Sequence, residues 1–123
     1  MSLAVSDAVS RVLGLALDGV TMRQKVTADN ISNVDTPGFR AMSVDFESSL
    51  RQAVDSGDIT AASDGGLHVE ATPTDTPVGA NGNNVDLRKE TLSAVQTQYQ
   101  YQMLTRAVSD RFTRMHDSIG TGA

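Results

Sequence analysis

The thirteen residues from Ala28 to Arg40 read ADNISNVDTPGFR, and they constrain the fold more than any other stretch. A helical pattern runs into them, and the chain that follows is short, polar and rich in turn residues. Asn30, Asn33 and Asp35 carry side chains that compete for nearby backbone groups, which favours helix ends over helix interiors. Thr36 precedes a proline and is pushed towards an extended conformation. Pro37 fixes its own φ and Gly38 accepts φ > 0, so the pair suits the two central positions of a type II turn. Phe39 then anchors the redirected chain on a neighbour. The expectation is a helix stop followed by a sharp change of direction.

The pattern upstream predicts a helix over residues 3–34. Val9, Leu13, Ala16 and Val20 recur at three and four, as do Leu13, Leu17, Val20, Gln24, Thr27 and Ile31. Ser2 and Ser6 are candidate N-caps, and Asp7 suits the positive end of the helix dipole. Gly14 and Gly19 each cost about 1 kcal/mol against alanine in a helix interior, a cost that close approach of another helix explains. Past Gln24 the inward stripe turns polar.

Residues 35–84 read as the turn, a short arm and a loop. Phe46, Leu50 and Val54 lie four apart, which fits a short helix or an extended arm docked by its apolar residues. Five of the ten glycines and two of the three prolines fall between residues 56 and 84, where Leu67 to Ala71 alternates weakly. This is expected to be a projecting loop or a small β-hairpin. A second long helix is expected over 85–119, with Asn83 as N-cap and Asp86 at the third helical position. Leu92, Val95, Tyr99 and Met103 form one stripe on it. Tyr101, Leu104, Val108, Phe112, Met115 and Ile119 form its continuation, and Arg106, Arg111 and Arg114 come late, where cations suit the dipole. These apolar faces are wider than one partner helix covers, so the sequence asks for helices from other chains. The fold class is therefore mainly α, with two long terminal helices paired as a coiled coil in one domain spanning 1–123.

The signature around Asn30 resembles that of the bacterial flagellar axial proteins, the rod, hook and hook-associated subunits. Their pattern runs roughly Ala-Asn-Asn-Ile-Ala-Asn-x-x-Thr-Pro-Gly-Tyr-Lys. Asn30, Ile31, Asn33, Thr36, Pro37 and Gly38 match it, Phe39 stands for Tyr, and Asp29, Ser32 and Arg40 are mild departures. The run Gly82-Asn83-Asn84-Val85-Asp86-Leu87-Arg88-Lys89-Glu90 and the later Tyr99-Gln100 are similar to the proximal-rod members of that family, and the chain has no room for the extra domain of the larger members. The resemblance implies helical polymerisation with copies of itself and other rod subunits, packed through Leu13, Leu17, Val20, Tyr101, Leu104, Val108, Phe112, Met115 and Ile119. It implies torque transmission from the membrane ring to the distal rod and hook, contact with the ring and with the rod-to-ring adaptor, and a place in the periplasmic rod of the basal body. Phe46-Glu47-Ser48-Ser49-Leu50 resembles the Phe-x-x-x-hydrophobic motif by which early export substrates are captured at the flagellar export gate. Read as residues alone, Phe46 and Leu50 are equally core packing. The alternative function is a cytoplasmic helical adaptor or chaperone of the export system.

Composition bounds the chemistry. A chain of 123 residues with 39% hydrophobic and 4% aromatic content supports only a modest core. A net charge of −5 argues against nucleic acid, whose binding rests on cationic side chains. There is no cysteine and hence no disulfide framework. No apolar run of membrane-spanning length occurs, and the first twenty residues lack the basic start and uninterrupted apolar stretch of a cleaved signal peptide, so export by another route is expected. His68 and His116 have no second ligand at metal spacing, and Asn81 to Asp86 lacks the order of a calcium loop. No catalytic cluster, metal site, cofactor or small-molecule substrate is expected.

Overall fold

The computed structural model describes residues 3–57 and 69–121. In chain order the elements are α1 (Leu3–Ser32), β1 (Met42–Val44), α2 (Phe46–Ser56), β2 (Ala71–Pro73) and α3 (Leu87–Thr121). α1 and α3, about 45 and 52 Å long, lie side by side and antiparallel. Asn30 meets Glu90 at one end, Arg23 meets Gln100 in the middle, and Ser10 meets Arg111 towards the other end. β1 and β2 form a two-stranded antiparallel sheet, with Met42 opposite Pro73, Ser43 opposite Thr72 and Val44 opposite Ala71. One strand comes from the arm and the other from the loop, so the ladder closes a long excursion that contains α2. Of the expected strand from Leu67 to Ala71, only Ala71 falls in β2; Leu67 and His68 lie outside the described residues.

Several helix boundaries move for identifiable reasons. α1 already begins at Leu3, so Ser6 lies within it and its first turn holds no acidic residue. α3 begins at Leu87, with Asp86 as its cap: the Asp86 carboxylate accepts from the Lys89 amide at 3.2 Å. Asn83 is thus freed for a different task. α3 runs on to Thr121, leaving its last turn without a basic residue. Arg111 instead donates to the Ser10 hydroxyl at 2.9 Å. The arm is a helix: Asp45 caps α2 by accepting from the Ser48 amide at 3.1 Å and its hydroxyl at 2.8 Å. Those bonds, the hydroxyl's first, hold the Asp45 carboxyl below its ordinary pKa. A lowered folded-state pKa means that this cap contributes at neutral pH and is lost as pH falls through that lowered value.

The buried core is small and sits where α1 meets the arm. Ala16, Val20, Val44 and Phe46 form it, with Met22, Val26, Leu50, Val69, Ala71 and Leu104 packed around. Phe46 decides the geometry. Its ring lies against Gly19, where a Cβ would stand 2.6 Å from Cδ2 and 2.7 Å from the Phe46 Cβ. The Arg23 guanidinium carbon covers the ring at 4.6 Å from its centroid, a cation–π contact. Gly19 is therefore the close-approach glycine that the sequence pattern asks for. Nothing in the described residues comes within 4 Å of a Cβ placed on Gly14.

The two glycines give opposite predictions. Gly19→Ala should push Phe46 and α2 off α1 and destabilise the fold by about 1–3 kcal/mol, the usual cost of overpacking. Gly14→Ala should instead stabilise the monomer by up to about 1 kcal/mol through helix propensity. Urea unfolding of the two variants, followed by circular dichroism, checks both signs.

Candidate functional site

α1 ends on its own side chains. The Asn33 amide group donates to the Asp29 carbonyl at 2.8 Å, satisfying one of the orphan carbonyls of a helix terminus. The Asn33 side-chain oxygen accepts from the Thr36 hydroxyl at 3.0 Å, and the Thr36 amide donates to the Asn33 carbonyl at 3.0 Å. The Phe39 amide then donates to the Thr36 carbonyl at 3.2 Å, closing a four-residue turn in which Gly38 has φ 77°. That is the expected type II turn with Gly at its third position.

The lead-in to α3 is laid across this turn and fastened to it. The Asn81 carbonyl accepts from the Gly38 amide at 3.0 Å, and the Phe39 carbonyl accepts from the Asn84 amide at 3.3 Å. Asn83 is 7% exposed, and its side-chain NH2 donates to the carbonyls of Asn33 and Thr36, both at 2.8 Å. Its oxygen accepts from the Val85 amide at 2.7 Å. Asn84 accepts from the Ala41 amide at 2.6 Å and donates to the Thr76 carbonyl at 3.2 Å. Gly82, at φ 81°, passes so close that an added Cβ would meet the Gly38 Cα at 3.2 Å. Each amide is oriented by its network: flipping Asn83 would set its oxygen against two carbonyls.

A third asparagine joins the lock to the sheet. Asn30, 1% exposed, donates to the Met42 carbonyl at 2.7 Å and accepts from the Met42 amide at 3.1 Å. Its second N–H reaches the buried Glu90 carboxylate of α3 at 3.1 Å. One turn of α1 further up from Thr27, Arg23 donates to the Val44 carbonyl at 2.7 Å, to Glu47 at 2.7 Å and to Gln100 at 3.1 Å. Arg23 thus ties α1 to β1, α2 and α3 at once. A cleft of about 420 Å3 opens beside it, lined by residues including Thr27, Thr74, Lys89 and Glu90.

The structure brings Asn30, Asn33, Thr36 and Gly38 of the signature into one network with Asn83 and Asn84. Ile31 and Phe39 are half-buried beside it, and Pro37 is exposed on its rim. Phe46 is buried and Leu50 half-buried in the core. Leu13, Leu17, Leu104 and Val108 are half-buried, and Val20 is fully buried. Tyr101, Phe112, Met115 and Ile119 are exposed, Phe112 at 67% and Ile119 at 78%. Sequence reasoning missed Arg23, Glu90 and the locking roles of Asn83 and Asn84. The one available signal was a charged and then polar continuation of an inward helical stripe.

A family model described as "Flagella basal body rod protein" matches residues 21–40, the segment from just before Arg23 to the end of the turn. The chain is 34% identical over 110 residues to the flagellar basal body rod protein FlgB of Bacillus subtilis strain 168, covering 81% of this chain and 84% of that one. The chain belongs to the FlgB family of flagellar basal-body rod proteins. It is also 30% identical to FlgB of Escherichia coli K12, over 94% of this chain and 96% of the relative, and 28% identical to FlgB of Salmonella typhimurium LT2, over 79% and 82%. Family membership favours the structural rod subunit over the cytoplasmic adaptor. No helix among the described residues is long and apolar enough to cross a membrane.

The lock makes a paired prediction. Asn83→Ala leaves two carbonyls without their donor and should cost about 1–3 kcal/mol. Asn30→Asp keeps the size, removes both donors and sets a carboxylate beside Glu90, which should cost more, about 3 kcal/mol at neutral pH. Two carboxylates sharing a site have a raised folded-state pKa, so the Asn30→Asp penalty should grow as pH rises through it and shrink in acid. Denaturant titrations at acidic and neutral pH measure both effects; a pH-independent penalty for Asn30→Asp would contradict the Glu90 contact.

Proposed function

We propose that the chain is a structural subunit of the flagellar rod, polymerising helically with copies of itself and with other rod subunits to transmit torque. The observation that carries this reading is the division of the molecule. One end is a hydrogen-bonded lock that fixes how α1, the arm and α3 leave one another. The rest of α3 exposes Leu92, Val95, Tyr99 and Met103, with Phe112, Met115 and Ile119 beyond them. Exposed apolar area on that scale marks interaction surface. In the polymer, Leu13, Leu17, Tyr101, Leu104, Val108, Phe112, Met115 and Ile119 serve packing between helices of neighbouring subunits, and Val20 completes the chain's own core. By the same resemblance the membrane ring and its adaptor are the proximal partners, and the periplasmic rod is reached through the flagellar export apparatus. The chain acts as one axial-core domain.

The signature turn supplies the first test. Gly38 sits at φ 77° with open space where a Cβ would go, so Gly38→Val meets backbone strain and no collision. The strain costs about 1–3 kcal/mol, and in a polymer every copy carries it while Phe39 and Asn84 are re-aimed. Gly38→Val cells should secrete the subunit yet build no rod and fail to swim. Normal swimming would remove the turn from assembly.

Export gives a second test. Phe46 is buried in the fold, so capture by the gate through Phe46 and Leu50 requires the unfolded chain. Phe46→Ala combined with Leu50→Ala destabilises the folded subunit by several kcal/mol, which cannot itself hinder an unfolded substrate. Secretion into the supernatant of a rod-incomplete strain should nevertheless fall. Secretion at the wild-type level would assign both residues to packing alone.

A further inference from the structure

Asn81-Gly82 is the one place in the chain where asparagine precedes glycine. The other four asparagines precede isoleucine, valine or asparagine, whose side chains crowd the next backbone nitrogen. Glycine has no Cβ and leaves that nitrogen open. An asparagine so placed is vulnerable to its own backbone. The Gly82 nitrogen gives up its proton and attacks the Asn81 Cγ. A C–N bond forms, the bond from Cγ to Nδ2 breaks, and ammonia leaves with the proton. Water then opens the resulting cyclic imide at one of its two carbonyls. Cleaving the new bond leaves aspartate on an unchanged backbone. Cleaving the original peptide bond leaves isoaspartate, with the main chain routed through Cβ and Cγ.

The fold restrains the groups that must move. Asn81 is exposed, so its protection is not burial. The Gly82 amide donates to the Gly79 carbonyl at 3.0 Å, which keeps its proton engaged. The Asn81 Oδ1 accepts from the Asn83 amide at 3.2 Å, and the Asn81 carbonyl accepts from the Gly38 amide at 3.0 Å. Ring closure would break these bonds and swing Gly82, held at φ 81°. An added Cβ on Gly82 would meet the Gly38 Cα at 3.2 Å, so the backbone has little room there. Attack therefore requires local opening, and its rate falls with the population of the open form.

We infer that Asn81 is a site of spontaneous deamidation that folding silences, open while the chain is unfolded and closed once the lock forms. The two products differ in consequence. Aspartate keeps the backbone spacing and an oxygen for the Asn83 amide. Isoaspartate lengthens the main chain between the bond at Gly38 and the bonds that Asn83 and Asn84 make to the turn and the arm. The excess has no room beside Gly38. The longer connection cannot satisfy both sets of bonds, and the lead-in to α3 loosens. Time spent unfolded is thus recorded in the lock. The site is intrinsic to the chain and does not depend on the rod-subunit reading.

The test compares the full-length protein folded in mildly alkaline buffer with the same protein unfolded in guanidinium chloride at the same pH. Peptide mass spectrometry follows the conversion of the Asn81 amide to an acid. Rearrangement at Asp18-Gly19 or Asp64-Gly65 leaves the mass unchanged, so the mass shift in the peptide around Asn81 reports on that residue. Conversion should be about tenfold or more faster in the unfolded chain. Gly82→Ala, whose folding is immaterial in denaturant, should slow it several-fold. Refolded protein carrying isoaspartate at position 81, separated by ion exchange, should unfold at lower denaturant than the wild type, whereas Asn81→Asp should match the wild type. Equal rates in the folded and unfolded chain, no conversion in denaturant, a Gly82→Ala chain that converts like wild type, or an isoaspartate form as stable as Asn81→Asp would overturn the proposal.

Discussion

The outer edge of β1 is the constraint that the rest of the structure serves. A strand that redirects off a helix end exposes a row of amides and carbonyls, and an isolated two-stranded ladder is marginal in water. β2 pairs with one edge of β1 through Ser43 and Thr72. Opposite Met42 it offers Pro73, which has no N–H. The other edge is closed by side chains from α1. The Asn30 carboxamide makes both hydrogen bonds of a peptide group with Met42, and Arg23 takes the Val44 carbonyl. α1 thus stands in for a third strand. Because α1 is rigid, these bonds fix the height and angle at which the arm lies, which in turn sets Phe46 over Gly19.

The lock on the other side uses the same device. Asn83 and Asn84 are separated from the turn by most of the arm and loop, yet their amides close backbone groups at Asn33, Thr36 and Ala41. Buried amides of this kind tolerate one geometry, since any slip leaves a donor or acceptor unpaired at a cost of about 1–3 kcal/mol. A small apolar core cannot supply that uniqueness, because hydrophobic contacts are non-directional. The direction in which α3 departs is consequently set by hydrogen bonds.

Much of this was legible in the sequence, and the limits have physical causes. The two long helices follow from apolar periodicity, and the turn follows from Thr36-Pro37-Gly38, where each residue's own backbone preference suffices. Gly19 was legible as a close approach, though its partner was not. β1 was invisible because three residues carry no measurable period. Asn83 reads as a helix cap because asparagine is good at capping. Its real partners lie about fifty residues away, and the cap falls to Asp86 instead. Arg23 was missed because nothing in its local sequence marks a cation on a stripe that is turning polar as half-buried. Only the tertiary fold shows that its guanidinium covers the Phe46 ring and is held by a carbonyl, a carboxylate and an amide.

The seam between α1 and α3 changes character along its length. At the locked end α3 presents Glu90 and Thr97 inwards, both buried, with Thr97 satisfying its hydroxyl on the Ser93 carbonyl at 2.7 Å. Further along it presents Leu104 and Val108, and beyond them Phe112 and Ile119 stand exposed. Polar pairs at one end give direction without much adhesion, and apolar residues at the other give adhesion without much direction. A subunit meant to be complete alone would gain by burying the apolar end on itself, and here Phe112 and Ile119 stand exposed. The chain therefore holds its own geometry from the locked end and leaves at the far end the kind of surface that a neighbour can cover in more than one position. For a helical assembly that order is useful: the rigid junction defines the repeat, and the permissive faces absorb the small misfits between successive copies.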